Sequence, residues 1–144
     1  MTFLLDVNIL VAWGWSDHVS HRRATEWIAS THRDRDVCLL TSAIPQLGFV
    51  RVSVQRTAGG VSIAESAKVL SGMLETLGDR HRFLPDDQTS RSGWPDWCRS
   101  AKRSTDAHLH ALAQRHGAQL ATLDESIPGA FLIPDSADQT PGEP

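Results

Sequence analysis

Two hydrophobic signatures alternate along the chain: short continuous apolar runs, and longer stretches with apolar residues three and four apart. The run Thr2-Phe3-Leu4-Leu5, closed by Asp6, predicts a strand buried on both faces of a parallel sheet. Residues 8–15 predict a short helix stopped near Gly14. Ala24, Trp27 and Ile28 share one face of a second helix, capped by Asp17 or Ser20. Val37-Cys38-Leu39-Leu40 predicts the next strand, closed by Thr41 and Ser42. A helix follows that takes Pro45 in its first turn and buries Leu47, Val50 and Val54. After Gly59-Gly60, Ser62-Ile63-Ala64-Glu65 is a capping box that opens a helix to about Leu77, ended by Gly78.

The second half repeats the pattern. Residues 82–85 predict a short strand, and residues 86–101 a loop with one helical turn around Trp97. Ser104 or Thr105 caps a helix over 106–116 whose inner stripe is Leu109, Leu112, Ala113 and His116, with Gly117 as its stop. Strands over 118–123 and 131–133 complete an α/β sandwich on a mostly parallel sheet.

With 144 residues the chain is sized for one domain, taken here as 1–134. The segment 135–144, with three acids, no bases and two prolines, is expected to be a disordered tail. The net charge of −3 argues against a nucleic-acid binder until that tail is set aside; the rest carries 14 acids and 14 bases. Twelve of the 14 bases are arginines, whose planar fork suits phosphate. No apolar run approaches the ~20 residues of a membrane span, and the opening residues lack the basic region of a signal peptide. Cys38 and Cys98 form neither a disulfide framework nor a zinc spacing, so a reduced, cytoplasmic protein is expected.

The chemistry lies in three acids. Asp6 ends the first strand, Asp124 ends the fourth, and Asp106 opens the helix that feeds the fourth. Ligands of open parallel sheets sit at the carboxyl ends of strands. Two carboxylates ~4 Å apart repel by about 4 kcal/mol at an effective dielectric near 20, so a cluster calls for a cation or a proton. Oxygen donors without a nearby cysteine or histidine pair suit Mg²⁺ or Mn²⁺, and such a site activates water for phosphodiester cleavage. Each acid taken alone is equally a helix cap or a turn residue. His18 and His21 read as a solvated helix face, Arg51 as a contact for RNA or a surface ion pair. Trp94 and Trp97 read as loop anchors or base-stacking rings.

These pieces resemble a family. Leu4-Leu5-Asp6-Val7-Asn8-Ile9-Leu10 is similar to the opening of PIN-domain ribonucleases, in particular the VapC-type toxins of toxin–antitoxin pairs. His21 with Ala24 and Trp27, and Gly48-Phe49-Val50-Arg51-Val52, resemble its second and third helices. Thr105-Asp106-Ala107-His108-Leu109 and Leu120-Ala121-Thr122-Leu123-Asp124 resemble its two C-terminal acidic motifs. The resemblance spans roughly residues 2 to 133 and implies a three-layer α/β/α sandwich with four to five strands. It implies Asp6, Asp106 and Asp124 as metal-site acids for Mg²⁺ or Mn²⁺, supported by Asn8 and Thr122. It further implies an endoribonuclease toxin, a homodimer, an RNA substrate and a cognate VapB-type antitoxin. The chain departs from the family at Gln46, where a glutamate is common; an amide there orients solvent but adds no charge. Two alternatives follow from these residues. One is a PIN fold weakened by Gln46 that binds RNA or an antitoxin without cutting. The other is a haloacid-dehalogenase-like phosphatase, for which Asn8 stands where a second aspartate is needed.

Overall fold

The computed structural model describes residues 1–135, so the expected tail at 135–144 lies outside them except for Asp135. Five parallel strands form one sheet in the order β3-β2-β1-β4-β5: β1 (Thr2–Leu5), β2 (Cys38–Thr41), β3 (His81–Phe83), β4 (Gln119–Thr122) and β5 (Phe131–Leu132). Leu4 of β1 stands opposite Leu40 on one side and Leu120 on the other. Because successive side chains of a strand point to opposite faces, Phe3 and Leu5 enter one core while Leu4 enters the other.

The larger core is covered by α1 (Val7–Gly14), α2 (His21–His32), α3 (Ala43–Arg56) and α4 (Ile63–Leu77). Phe3 packs edge-on to Trp27, their ring centroids 5.3 Å apart. The smaller core lies under α5 (Ser104–Arg115), where Leu109 and Leu112 meet Leu4, Leu40 and Leu120. Helices on both faces make the three-layer α/β/α sandwich that the resemblance implied.

The capping box at Ser62 and Glu65 forms, and α4 ends at Leu77 as expected. Several local expectations are corrected. Ser20 holds the cap position of α2 without a side-chain hydrogen bond, and Ser104 lies inside α5, its hydroxyl donating to Ala101 O. The helical turn expected around Trp97 forms instead as a 3-10 turn at Ala101–Arg103. In α3 the buried positions are Pro45, Phe49 and Ser53, and Leu47 is 57 % exposed. That helix presents Gly48 and Phe49 inward because α1 comes close there: a Cβ at Gly48 would stand 2.6 Å from Val7 Cγ2. The same approach holds the first turn of α1, and with it Asp6, against the core. Likewise His116 leaves the inner stripe of α5; it is exposed and pairs with Asp87 at 2.8 Å. Among the described residues, no helix is long and apolar enough to cross a membrane.

Candidate active site

At the carboxyl ends of the adjacent strands β1 and β4, a network joins residues more than 100 positions apart in sequence. Asp6 N donates to Ala121 O (3.0 Å), so the residue that caps α1 lies beside β4. Its Oδ1 accepts from Val7 N (2.7 Å) and its Oδ2 from the Thr122 hydroxyl (2.8 Å). Asn8 closes the ring: Nδ2 donates to Thr122 Oγ1 (3.1 Å), and Oδ1 accepts from Leu123 N (3.1 Å). Thr122 Oγ1 also accepts from Asp124 N (3.0 Å), so one hydroxyl ties both strand ends together. Asp6 thus caps a helix, as its bland reading required, and also belongs to a cluster.

Burial decides the state of Asp6. It is 4 % exposed, and burial pushes its carboxyl up from 3.8 to about 6, against the pull of the Thr122 and Val7 hydrogen bonds. The charges of Asp106 and Asp124 push in the same upward direction. Asp106, in the first turn of α5, is half-buried and shifted up first by burial and then by Asp124. Asp124 is shifted down, because its Oδ1 accepts from the hydroxyl (2.6 Å) and the amide (2.8 Å) of Ser126.

The acids occupy two adjoining cavities that share Asp106. One holds Asp6, Asn8 and Asp106 together with His18; the other holds Asp106 and Asp124 with Lys102 and Arg103. Lys102 and Arg103 both lower Asp124, and Arg103 lowers Asp106. Sequence reasoning passed over this basic pair, which sits in the 3-10 turn just before α5. Arg103 is anchored, its Nη2 donating to Ser126 O (2.6 Å) and its guanidinium lying 4.9 Å from the Trp97 ring centre. His18 also went unrecognised; no local signal separates it from the solvated histidine expected there.

The other predicted residues lie elsewhere. Gln46 Nε2 donates to Thr41 Oγ1 (3.0 Å), which also pairs with His81 Nε2 (2.7 Å), and Gln46 lines a separate groove between α3 and α4. Arg51 is exposed on α3. Trp97 packs beside the smaller core and Trp94 bonds the Ser90 carbonyl, so both serve the loop that carries them.

The three acids form an oxygen-only donor set, and two of them are shifted up by burial and mutual charge. A hard divalent cation fits that chemistry, since its charge would turn repulsion into attraction. Among the described residues no group of three His, Cys, Asp or Glu side chains stands arranged to hold one ion, with Asp124 turned to Ser126.

Comparison with known proteins agrees with this geometry. The PIN domain profile matches residues 3–130. Ribonuclease VapC39 of Mycobacterium tuberculosis is 36 % identical over 132 residues, covering 88 % of this chain and 91 % of its own. Ribonuclease VapC38 of the same species is 37 % identical over 143 residues, covering 97 % and 95 %. In fold, the chain is similar to the crystal structure of M. tuberculosis VapC20, described as a sarcin-ricin loop cleaving toxin. The TM-score is 0.64 at 16 % identity, over 92 % of this chain and 98 % of that one. The chain therefore belongs to the PIN-domain family and, within it, to the VapC type.

Proposed function

We propose that this protein is the toxin of a type II toxin–antitoxin pair, an endoribonuclease that hydrolyses RNA phosphodiester bonds with Mg²⁺ or Mn²⁺. The observation that carries the reading is the buried carboxyl of Asp6, held beside Asp106 and Asp124 where β1 and β4 end. The relatives named ribonuclease support the reaction class.

In this reading Asp6, Asp106 and Asp124 would hold the divalent ion, for which Asp124 would give up its Ser126 bonds. When bound, such an ion would supply Lewis-acid chemistry to the phosphate and to water. Asn8 and Thr122 do no chemistry themselves; they fix the two strand ends so that Asp6 cannot turn away. Lys102 and Arg103 face the cavity that holds Asp106 and Asp124, where a phosphate diester would bring negative charge to a site already rich in it. Gln46, bonded to Thr41 and lining a groove apart from the three acids, takes no part in this reading. Arg51 is offered to RNA from the surface of α3. The protein acts in the cytoplasm as a homodimer and is silenced there by a VapB-type antitoxin. Membership of the PIN family replaces the phosphatase alternative.

The test is cleavage of total RNA by the purified chain. Cleavage with Mg²⁺ or Mn²⁺ that stops with EDTA is expected; equal cleavage in chelator would overturn the metal role. Binding of RNA or antitoxin with no cutting at any metal concentration would favour the weakened fold.

A further inference from the structure

We infer that the cavity on the Asp6 side of Asp106 is a nucleotide subsite, in which His18 donates a hydrogen bond from Nε2 to the base beside the scissile phosphate. The inference rests on the ribonuclease reading and names a specificity-determining residue for it.

The cavity measures about 300 Å³, at the lower end of the ~300–1,000 Å³ typical of small-ligand sites. Its lining divides by chemistry. Asp6 and Asp106 stand at the site of cleavage, while Val7, Val11 and Val52 present apolar surface next to them. Apolar surface does nothing for a cation. It does suit the flat face of an unstacked base whose phosphate lies at the acids, which is how single-stranded RNA is commonly held.

His18 supplies the polar contact, and its geometry leaves one nitrogen for the task. Ser20 N donates to His18 Nδ1 (3.0 Å), so the lone pair on Nδ1 is engaged and the neutral ring carries its proton on Nε2. Burial first, and then the charge of Arg56, holds the ring below its ordinary 6.5, which favours that neutral form. The neighbouring carboxylate of Asp17 is turned to Arg56 Nη1 (3.0 Å). His21 differs: its Nδ1 bonds Ala12 O (2.8 Å) and its Nε2 faces Thr25 Oγ1 (3.4 Å), so both nitrogens are spent on the fold. Of the two histidines that follow α1, His21 is structural and His18 keeps a donor at the cavity.

The experiment maps cut sites of the purified chain on a randomised RNA library with Mn²⁺, comparing wild type with His18→Asn and His18→Ala. Asparagine can still accept from Ser20 N two residues on, as in an Asx turn, so His18→Asn keeps the loop and removes the ring donor. Both variants are expected to lose the wild-type preference at one nucleotide position beside the cut. KM on a preferred oligonucleotide should rise about fivefold to tenfold, the size of one neutral hydrogen bond, with kcat changing less. An unchanged sequence profile would overturn the inference, as would a uniform loss of rate at every site. So would a profile altered in His18→Ala and restored in His18→Asn, which would assign His18 to the loop. If the wild-type chain cuts nothing, the ribonuclease reading fails and this inference fails with it; a wild type that cuts, with a profile indifferent to His18, sinks the inference alone.

Discussion

Asp6 and Asp124 follow adjacent parallel strands and bind the same Thr122 hydroxyl, yet they are in opposite electrostatic states. Asp6 is buried, and desolvation outweighs two good hydrogen bonds, so its charge is held at a disadvantage. Asp124 is in reach of solvent, accepts two bonds from Ser126 and has Lys102 and Arg103 nearby, so its charge is favoured. The comparison shows that a shared motif position does not give a shared role. The Asp6 end is loaded with unfavourable charge that a cation would relieve; the Asp124 end is already satisfied by Ser126.

The largest expected effect comes from removing that loaded charge. Asp6→Asn should reduce RNA cleavage by more than about a hundredfold, beyond the usual loss for a residue that only supports a metal ligand. In the absence of divalent ions the same variant should be more stable than wild type at neutral pH, by up to about 3 kcal/mol. Urea unfolding with EDTA checks the second part, and equal or lower stability would show that Asp6 carries no such burden.

The pH dependence sharpens the point. A carboxyl whose folded pKa lies above its unfolded value keeps its proton longer in the folded state. Stability relative to Asp6→Asn should therefore be highest below pH 3.8, fall as pH rises to about 6, and then level off. Asp124 has the opposite sign: its depressed pKa contributes stability above its ordinary 3.8, lost as pH falls further. Wild-type and variant stabilities that run parallel from pH 4 to pH 7 would erase the contrast between the two acids.

A backbone route to the same site gives a middle-sized effect. Gly48→Ala places a Cβ against Val7 and should cost about 1–3 kcal/mol by overpacking, with cleavage falling as α1 and Asp6 shift. Thermal unfolding and cleavage measured together test it; full activity at reduced stability would detach the α1–α3 contact from the site. The smallest effect is expected from Gln46→Glu. The new carboxyl sits by Thr41 and His81, so Mn²⁺-dependent stabilisation should strengthen only slightly, and apo stability should change by about 0.5 kcal/mol. Melting curves that superimpose across a Mn²⁺ titration would place Gln46 outside the site.

Legibility followed the range of the interactions. The Ser62 capping box and the stops at Gly78 and Gly117 need only neighbours within a few residues, and both glycines take the positive φ their positions require. The inner face of α3 was misread because periodicity allows several apolar stripes on that helix, and the close approach to Val7 at Gly48 selects one. The caps expected at Ser20 and Ser104 failed because neither hydroxyl meets the first free amides of its helix. From sequence His18 reads as solvated, because the cavity it lines is built from α1, α3 and the start of α5.

By itself the sequence determined the alternation of buried strands and amphipathic helices, and the order of three aspartates at element ends that fits a PIN-type chain. Those are properties of periodicity and local spacing. Tertiary structure alone decided which aspartate is stripped of water, which is satisfied by a turn, and which histidine keeps a free donor. The reason is physical: desolvation and hydrogen bonding depend on what surrounds a group in space, and Asp6 takes its Thr122 hydrogen bond from 116 residues away.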